Sequence, residues 1–491
     1  MGWLFTFQEH QAPGPQHQPD SLIIFYFTAF RYLHLIQICA TMLHTPADKK
    51  IHRAWSMYDW ANSAYNLVIT STIFPIYYLA VTSDKVQDNL DYVYFFNWKI
   101  INTALLNYAL SFAYLMVAFL SPILSSIADV QGTKKKFMKL FCYLGAIACC
   151  GLYFFKPGAI ELGIILAILA AIGYSGSIVF YNAYLPEIAE EKYHDKLSAK
   201  GFSYGYVGSV LLQLICFAFI LMKFSDQTFA PRLAFLLVGI WWIGFAQIPF
   251  RILPNGAKAK GELKQGVWKK GFHELRGVWI EIQQMPILKR YLAAFFFYSM
   301  GVQTVMLAAA EFAGKEIKKN VDGAMVPLGD TEMIIIILII QLVAIAGAML
   351  MARLSIWIGN LRVLMLTVLI WIGICITAYY TRTDTQFYFL AALVGLVMGG
   401  IQSMSRSTFS KMMPATKDTA SYFSFFTKAE RLAIVFGLFT FGFIEHMTGN
   451  MRNSIFALAI FFLAGLLLLM LTEWTRKKEG IDPHILKPPQ A

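Results

Sequence analysis

Polar side chains interrupt an apolar segment near residue 60 and form a stripe along one side of the predicted helix. Their spacing of i, i+3, i+4, i+7 and i+11 places them on one face: Asp59, Asn62, Ser63, Asn66 and Thr70. Such a stripe cannot face lipid. It lines either a water-filled cavity that binds a polar solute or a helix–helix contact with hydrogen-bonding partners. We expect cavity lining for the stripe, and for Asp59, near the helix end, a gate or a cap rather than a substrate ligand.

Charged residues lie deep in a later apolar segment. At a rise of about 1.5 Å per residue, Arg431 is roughly 20 Å from the polar edge at Asp418, near the middle of the bilayer. Lys428 shares its helix face, whereas Glu430 points elsewhere. Charges at this depth are candidates for a functional site. These charged residues either bind substrate or take part in ion coupling, or they form an internal salt bridge. A substrate carboxylate would suit the two cations, Lys428 and Arg431.

Hydroxyl groups mark another face. Tyr174, Ser177 and Tyr181 lie on one side of a predicted helix and either bind a polar solute or join neighbouring helices. Arg406 is about one turn from the end of its segment, where we expect it to snorkel or to form a gate. The candidate substrate cavity therefore comprises Asn62, Ser63, Asn66, Thr70, Tyr174, Ser177, Tyr181, Lys428, Glu430 and Arg431.

Motifs for covalent, metal or nucleotide chemistry are absent from the sequence, which has no Walker loop, metal-ligand cluster or nucleophile elbow. We therefore predict no catalytic, cofactor-binding or metal-binding residues, and a drive from gradients rather than from ATP. A membrane enzyme would need a nucleophile, base or metal ligands at one depth of the bilayer, and no such set is apparent in the sequence. These features favour a secondary transporter that moves a small polar or amphiphilic solute by alternating access. A non-transporting receptor or scaffold is the alternative, but it would be expected to add a sizeable soluble domain.

The composition explains where these residues must lie. Of the 491 residues, 57% are hydrophobic and 14% are charged, and the mean hydropathy is +0.55. Soluble domains carry roughly a quarter charged residues, so a water-soluble fold is excluded. Apolar runs of about 20 residues, each long enough to cross a bilayer, recur along the chain. They predict an all-α polytopic membrane protein with helices near 58–80, 101–128, 137–155, 162–183, 201–223, 232–252, 290–313, 332–355, 363–380, 386–409, 420–445 and 453–474.

The twelve segments divide into six, a basic link and six more. We predict a six-helix bundle over 42–252, a cytoplasmic basic linker over 253–289, a second six-helix bundle over 290–475 and a cytoplasmic tail over 476–491. Residues 1–41 fit the pattern poorly. They form either a thirteenth span or a non-native or disordered extension before a start at Met42, and we favour the extension.

Basic residues indicate the orientation. Loops on the side of the central linker hold 27 of the 41 Lys and Arg residues, and the opposite loops hold 10. By the positive-inside rule, both termini and the linker are cytoplasmic. The basic residues thus set topology, and we expect no nucleic-acid partner. The expected partners are the lipid bilayer, a small-molecule substrate and, as a candidate coupling ion, a proton; we expect a monomer.

The loop after the second predicted helix, Ser125-Ser126-Ile127-Ala128-Asp129-Val130-Gln131-Gly132-Thr133-Lys134-Lys135-Lys136, resembles the loop motif of the major facilitator superfamily. Asp129, Gly132 and Lys134 match the pattern G-x-L-A-D-R-x-G-R-[RK]. Gly132 permits a tight turn, and Asp129 can cap the positive end of a neighbouring helix. We therefore expect these three residues to latch one conformation.

The second half repeats the motif incompletely. Aligning Gly359 with Gly132 places Ile356 where the first half has Asp129. The repeat is visible but its carboxylate is missing, so we expect an asymmetric latch.

Four further stretches resemble the vacuole-effluxer family of that superfamily, including its bacterial branch. They are Tyr58-Asp59-Trp60-Ala61-Asn62-Ser63-Ala64-Tyr65, Tyr181-Asn182-Ala183-Tyr184-Leu185-Pro186-Glu187-Ile188-Ala189, Lys200-Gly201-Phe202-Ser203-Tyr204-Gly205-Tyr206-Val207-Gly208 and Gly399-Gly400-Ile401-Gln402-Ser403-Met404-Ser405-Arg406-Ser407. The resemblance implies a major facilitator fold with a central cavity and a bacterial inner-membrane location. It also implies amino acids as the substrate class, and the family name suggests export.

Overall fold

The computed structural model describes residues 46–82, 92–222, 224–255, 267–321, 324–484 and 486. Residues Ile51–Ala491 form one compact unit. Of the preceding unit, Met1–Lys50, the described part is the start of a helix at Pro46. The prediction for residues 1–41 therefore lies outside the described residues.

Within this part of the chain, twelve helices are long and apolar enough to cross a membrane. In chain order, spans 1 to 12 are Asp48–Thr82, Asn102–Gln131, Lys134–Phe154, Ile160–Ile188, Glu191–Leu221, Phe229–Ile252, Pro286–Ala309, Glu332–Ile358, Asn360–Tyr380, Asp384–Met412, Thr419–Thr448 and Met451–Lys478. The predicted fold class, an all-α polytopic membrane protein, is confirmed.

Several spans are composite. Span 1 joins an α-helix from Pro46–Ala64, a π-helix over Tyr65–Thr72 and an α-helix over Ile73–Thr82. Span 3 is Lys134–Gly151 with a 3₁₀ turn at Leu152–Phe154, span 4 is Ile160–Ala183 with Leu185–Ile188, and span 5 is Glu191–Tyr193 (3₁₀) with His194–Leu221. The helices of spans 7 and 8 run over Pro286–Glu316 and Asp330–Ile358.

Two antiparallel hairpins lie on the side away from the central linker. The first pairs β1 (Tyr92–Phe95) with β2 (Trp98–Ile101), and the second pairs β3 (Lys318–Val321) with β4 (Ala324–Pro327). Odd-numbered spans begin on the linker side and even-numbered spans end there, so "linker side" and "far side" define the two ends of the molecule.

Spans begin earlier on the linker side than the apolar pattern predicted. Span 5 begins at Glu191 rather than at 201, and span 7 at Pro286 rather than at 290. The first turns of span 5 hold Asp195 and Lys196, which end an apolar run without ending a helix. Pro286 lies at the start of span 7, where proline needs no backbone partner.

The packing of the spans gives two six-helix bundles, spans 1–6 and spans 7–12. Between the bundles, span 2 packs on span 11, span 4 on span 11, and span 5 on spans 8 and 10. Small residues permit close approach inside the second bundle, where a Cβ at Gly399 would overlap the carbonyl of Ala344. The contacts between bundles are the surfaces that must change in any rocking movement.

An amphipathic linker helix, Val267–Gln284, covers the linker-side ends of spans 2 and 11. Val278 and Ile282 are buried, and the Trp279 ring stacks on Phe425 with centroids 5.5 Å apart. The Tyr422 hydroxyl donates a 2.6 Å hydrogen bond to Glu281 Oε2. This part of the linker is thus docked on the bundles.

Candidate functional site

A cavity of about 180 Å³ lies between the two bundles. An apolar cavity of about 150 Å³ in another protein holds a benzene molecule, so this one is large enough for a small solute. Asp59 and Arg406 line its linker-side end. Met333, at the far-side start of span 8, lines the other end. The cavity therefore extends from the middle of the molecule toward the far side.

The two walls of the cavity differ in chemistry. Spans 1, 4 and 5 contribute mainly polar groups: Asp59, Asn62, Ser63, Asn66, Ser71, Thr72, Tyr174, Asn182, Tyr206 and Ser209. Spans 7, 8 and 10 contribute mainly apolar groups: Phe295, Val302, Val305, Met306, Ala309, Met333, Ile336, Ile337, Ile340, Val394, Met398 and Ile401. Such a division suits a molecule that has a polar end and an apolar end.

Three polar side chains at the cavity have atoms without a partner. Asn62 Nδ2, Arg431 Nε and Gln341 Oε1 are buried and make no hydrogen bond within the described part of the chain. Asn62 is 1% exposed and Arg431 7%. A buried donor or acceptor without a partner costs about 1–3 kcal/mol. These two donors and one acceptor can be satisfied by a polar ligand.

Arg431 reaches across the boundary between the bundles. Its guanidinium lies 3.2 Å from Glu430 Oε2 and 5.4 Å from the centre of the Tyr114 ring in span 2. Glu430 also accepts a 3.2 Å hydrogen bond from Gln303 Nε2. The salt bridge foreseen between neighbours is therefore present, and the same two residues also line the cavity. Glu430 and Arg431 can therefore form an internal salt bridge and line the cavity at the same time.

The linker-side end of the cavity is closed by a buried ion pair between spans 1 and 10. Arg406 Nη1 and Nη2 each lie 3.2 Å from Asp59 Oδ2. The same oxygen accepts a 2.7 Å hydrogen bond from the Tyr181 hydroxyl. Arg406 also donates to Ser198 Oγ (2.9 Å), the Ser198 carbonyl (2.9 Å) and Asn182 Oδ1 (3.3 Å). Arg406 therefore binds both bundles together and does not snorkel.

A glycine in span 5 makes room for this pair. A Cβ at Gly201 would overlap Asp59 Oδ2 and would lie 2.9 Å from Arg406 Nη2. Span 5 therefore approaches the ion pair as closely as it does only because this side chain is absent.

Asp129 lies against the beginning of span 11. Its Oδ2 accepts hydrogen bonds from the backbone N–H and the hydroxyl of Ser421, at 2.7 and 2.8 Å, and its Oδ1 accepts one from the Ala420 N–H at 3.3 Å. The contact that the loop motif predicted is therefore present, with a carboxylate at the positive end of a helix of the other bundle. Its role in gating stays a prediction.

Lys134 extends this contact to span 4. Its ammonium group lies 2.9 Å from Asp129 Oδ1, pairs with Glu187 and donates a 2.7 Å hydrogen bond to Thr419 Oγ1. Gly132 has a left-handed backbone with φ of 64°, which turns the chain between spans 2 and 3. Asp129 and Lys134 thus belong to one cluster, called here the Asp129 latch: Asp129, Lys134, Glu187, Thr419, Ala420 and Ser421.

A second cluster joins the bundles where spans 5, 8, 9 and 10 meet. Asp195 Oδ2 lies 2.7 Å from Lys411 Nζ and accepts a 2.8 Å hydrogen bond from the Ser355 hydroxyl. Asp195 Oδ1 accepts a 2.7 Å bond from Asn360 Nδ2. These four residues are called here the Asp195 latch; their contacts differ from those of the Asp129 latch, and a role in gating stays a prediction. The missing carboxylate at Ile356 is replaced by one from the first bundle.

Thr70 does not line the cavity, contrary to the predicted stripe. It faces the interior of the first bundle beside Tyr65 and Phe74, whereas Ser71 and Thr72 line the cavity. The reason is the π-helix over Tyr65–Thr72. A turn closed by i→i+5 bonds advances each residue by a smaller angle than an α-helix does, so the face shifts by one position.

Three other predicted cavity residues lie elsewhere. Lys428 lies over the Phe119 ring at 5.8 Å, at the outer edge of the contact between spans 2 and 11, because its side chain points toward the start of the helix. Tyr181 belongs to the closed end, below Asp59. The Ser177 hydroxyl donates a 2.9 Å bond to the Tyr174 carbonyl within its own helix. Asn62, Ser63, Asn66, Tyr174, Glu430 and Arg431 do line the cavity.

Sequence reasoning missed the Asp195 latch and the apolar cavity wall. The apolar pattern placed Asp195 and Lys411 outside the predicted helices, where charged residues counted only toward topology, whereas both lie within the helices of spans 5 and 10. The internal repeat offered a signal for this latch. If the two halves are related, span 8 must meet span 5 in the way that span 2 meets span 11. Along the described residues, no three His, Cys, Asp or Glu side chains are grouped as metal ligands would be.

Comparison with known proteins decides the family. Residues 47–481 match the family described as "Vacuole effluxer Atg22 like". The chain belongs to this family. It is 29% identical over 425 residues to the uncharacterized MFS-type transporter YxiO of Bacillus subtilis, covering 86% of this chain and 94% of YxiO. It is 22% identical over 546 residues to autophagy-related protein 22 of Coccidioides immitis, covering 88% of each.

Solved structures show that this vacuole-effluxer family member has the major facilitator fold. The proton:xylose symporter XylE superposes with a TM-score of 0.65 at 15% identity, covering 89% of this chain and 98% of XylE. The Escherichia coli fucose:proton symporter FucP superposes with a TM-score of 0.62 at 13% identity, covering 87% and 98%. The chain is therefore an integral membrane protein with the fold of a transporter.

Proposed function

We propose that the protein is a gradient-driven secondary transporter that moves a small polar or amphiphilic solute by alternating access, and not an enzyme. The observation that carries this proposal is a cavity between two bundles, with unpaired polar atoms inside it and ion pairs closing one end. Rocking of the bundles would exchange the open end.

Amino acids are the substrate class we propose. A carboxylate would be bound by Arg431 and Asn62, an ammonium group by Gln341 and Glu430, and an aliphatic or aromatic side chain would lie on the wall of spans 7, 8 and 10. The family description supports efflux as the direction. These assignments explain why one wall is polar and the other is not.

The proposed setting follows from charge and kinship. We infer that both termini and the linker side are cytoplasmic, because 27 of the 41 basic residues lie on that side. The Bacillus relative supports a bacterial inner membrane. We propose a monomer coupled to protons, with Asp59, Asp129, Gly132, Lys134 and Arg406 as the gate. The cavity then opens outward.

Flux into proteoliposomes tests the function. The purified protein is reconstituted, and uptake of labelled neutral, acidic and basic amino acids, sugars and organic acids is measured with and without a pH gradient. Empty liposomes give the background. Accumulation of amino acids driven by the gradient is the expected result. Binding without flux for every solute would favour a receptor or scaffold instead.

A matched pair of variants tests the site. Arg431→Gln keeps donors but removes the cavity charge, so amino-acid binding and its stabilisation of the protein should be lost. Lys428→Gln removes a charge three residues away that does not line the cavity, so binding should persist. Equal effects of the two substitutions on the binding constant, measured by thermal shift, would rule out the chosen site.

A further inference from the structure

An uncharged contact between the two bundles lies at the cavity, in addition to the ion pair of Asp59 and Arg406. The Tyr206 hydroxyl of span 5 donates a 2.8 Å hydrogen bond to Gln402 Oε1 of span 10, and both residues line the cavity. Gln402 comes four residues before Arg406 in a span that ends on the linker side, so it lies about 6 Å nearer the far side. A solute that enters from the far side therefore reaches this contact, called here the Tyr206 bridge, before it reaches the ion pair.

The amide of Gln402 is well bonded on its oxygen and poorly bonded on its nitrogen. Among the residues that the structure describes, the acceptor that Nε2 meets is the sulfur of Met306, at 3.2 Å. A thioether is a weak acceptor, and a methionine side chain is flexible enough to move aside. The two N–H donors of Nε2 are thus available at the cavity to an acceptor oxygen of a bound solute, such as a carboxylate oxygen.

The two ends of this amide cannot be re-aimed separately, because the oxygen and the nitrogen are fixed on one planar carbon. If Nε2 turns toward a solute, Oε1 leaves the Tyr206 hydroxyl. We propose that Gln402 is a sensor of solute binding, which takes an acceptor oxygen of the solute and thereby breaks the Tyr206 bridge between the bundles. The proposal rests on the transport function and the substrate class inferred above.

The competition couples the cavity to the linker side. One neutral hydrogen bond changes an equilibrium by about two- to tenfold, and the bridge must weaken solute binding by the factor by which the solute weakens the bridge. The two partners of the bond should therefore respond in opposite directions. Loss of the Tyr206 hydroxyl frees the amide and strengthens binding, whereas loss of the Gln402 amide weakens it. A bridge that only holds the bundles together would change binding in the same direction from either side.

Phenylalanine is the probe for this difference, because it has a carboxylate and a ring that suits the apolar wall. Isothermal titration calorimetry in nanodiscs measures its affinity. Tyr206→Phe should bind phenylalanine about two- to tenfold more tightly than the unmodified protein, and Gln402→Leu should bind it more weakly. The affinity for 2-phenylethylamine, which lacks the carboxylate, should not change in Tyr206→Phe. Tyr204→Phe is the matched control, since Tyr204 is two residues away and does not line the cavity.

The opening of the linker side is measured separately. Spin labels are placed at Lys136→Cys and Ala415→Cys, on the linker-side ends of the two bundles, in a chain without its native cysteines. Double electron–electron resonance in nanodiscs gives the open and closed populations. Without solute, Tyr206→Phe should raise the ratio of open to closed by about two- to tenfold. Phenylalanine should raise this ratio in the unmodified protein but not further in Tyr206→Phe, where the bridge is already lost.

The outcomes separate the sensor from the transport function. Weaker phenylalanine binding in both variants, or an unchanged ratio of open to closed in Tyr206→Phe, would overturn the sensor. Absence of phenylalanine binding to the unmodified protein would contradict the substrate class and the sensor together. Binding without flux contradicts the transport function alone, because the opposite responses of the two variants decide the sensor. Thermal melting shows that each variant is folded, and Gln402→Met, which keeps the side-chain length, replaces Gln402→Leu if that variant is not.

Discussion

The Asp129 and Asp195 latches occupy related places in the two halves of the molecule, yet different groups hold their carboxylates. Asp129, at the end of span 2, is bound by backbone N–H groups of span 11 and by Lys134. Among the residues that the structure describes, Asp195, at the start of span 5, is bound only by side chains, with Lys411 as its cation. The repeat preserves the place of contact between bundles but not its chemistry. Breaking the two contacts should therefore have different costs.

The largest effect is expected at Asp195. Lys411 is 3% exposed, and Asp195→Asn would leave its charge without a counter-ion, which commonly costs about 3–5 kcal/mol. The melting temperature in detergent should fall, and the double variant with Lys411→Met should recover most of the loss because no charge then remains. If the melting temperature of the double variant falls as far as that of Asp195→Asn alone, the unpaired charge of Lys411 is not the cause of the destabilisation.

The second-largest effect is expected at Gly201, which lies beside the ion pair of Asp59 and Arg406. Gly201→Ala would force a Cβ against Asp59 and Arg406, and overpacking of this kind costs about 1–3 kcal/mol. Gly373→Ala in span 9 is the matched control, since a Cβ there meets nothing within 4 Å. Thermal melting should separate the two variants. Equal stability would show that span 5 can move away from the pair without loss.

Asp129→Asn is expected to cost less than either, about 1 kcal/mol, because the amide oxygen still accepts bonds from span 11 and Lys134 keeps Glu187. Its main effect should be a shift toward the linker-side-open state. Labelling of a cysteine at Lys136 should accelerate while the melting temperature changes little. Unchanged labelling would rule out a latch at this position.

The sequence predicted the features that depend on helix periodicity and on local motifs. Twelve spans, the cap by Asp129 and the placement of Asn62, Ser63 and Asn66 at the cavity follow from short-range rules. Thr70 was misplaced because a π-helix cannot be recognised from the spacing of polar residues. The Asp195 latch was missed because its four residues come from four helices whose meeting is decided by tertiary packing.

The smallest predicted effect uses a further difference between the latches, since the linker helix covers only the Asp129 latch. Glu274 on this helix is partly buried and shares a hydrogen bond with Asp418, next to Asp129 and Glu281. Burial first, and then these neighbouring carboxylates, raise the pKa of Glu274 to about 7. The undocked helix has the ordinary value of 4.5, so the docked state binds the proton more tightly.

Docking of the linker helix should therefore weaken as the pH rises from about 4.5 through about 7, and change little beyond that. Below 4.5 both states hold the proton, and above 7 neither does. Hydrogen exchange of residues 272–284, corrected for the intrinsic rate, should be faster at pH 8 than at pH 6. Glu274→Gln should remove the difference, while the amides of 355–360 at the Asp195 latch serve as the internal control. An equal change at both latches would show that the pH acts on the whole fold, because only one of them lies beneath Glu274.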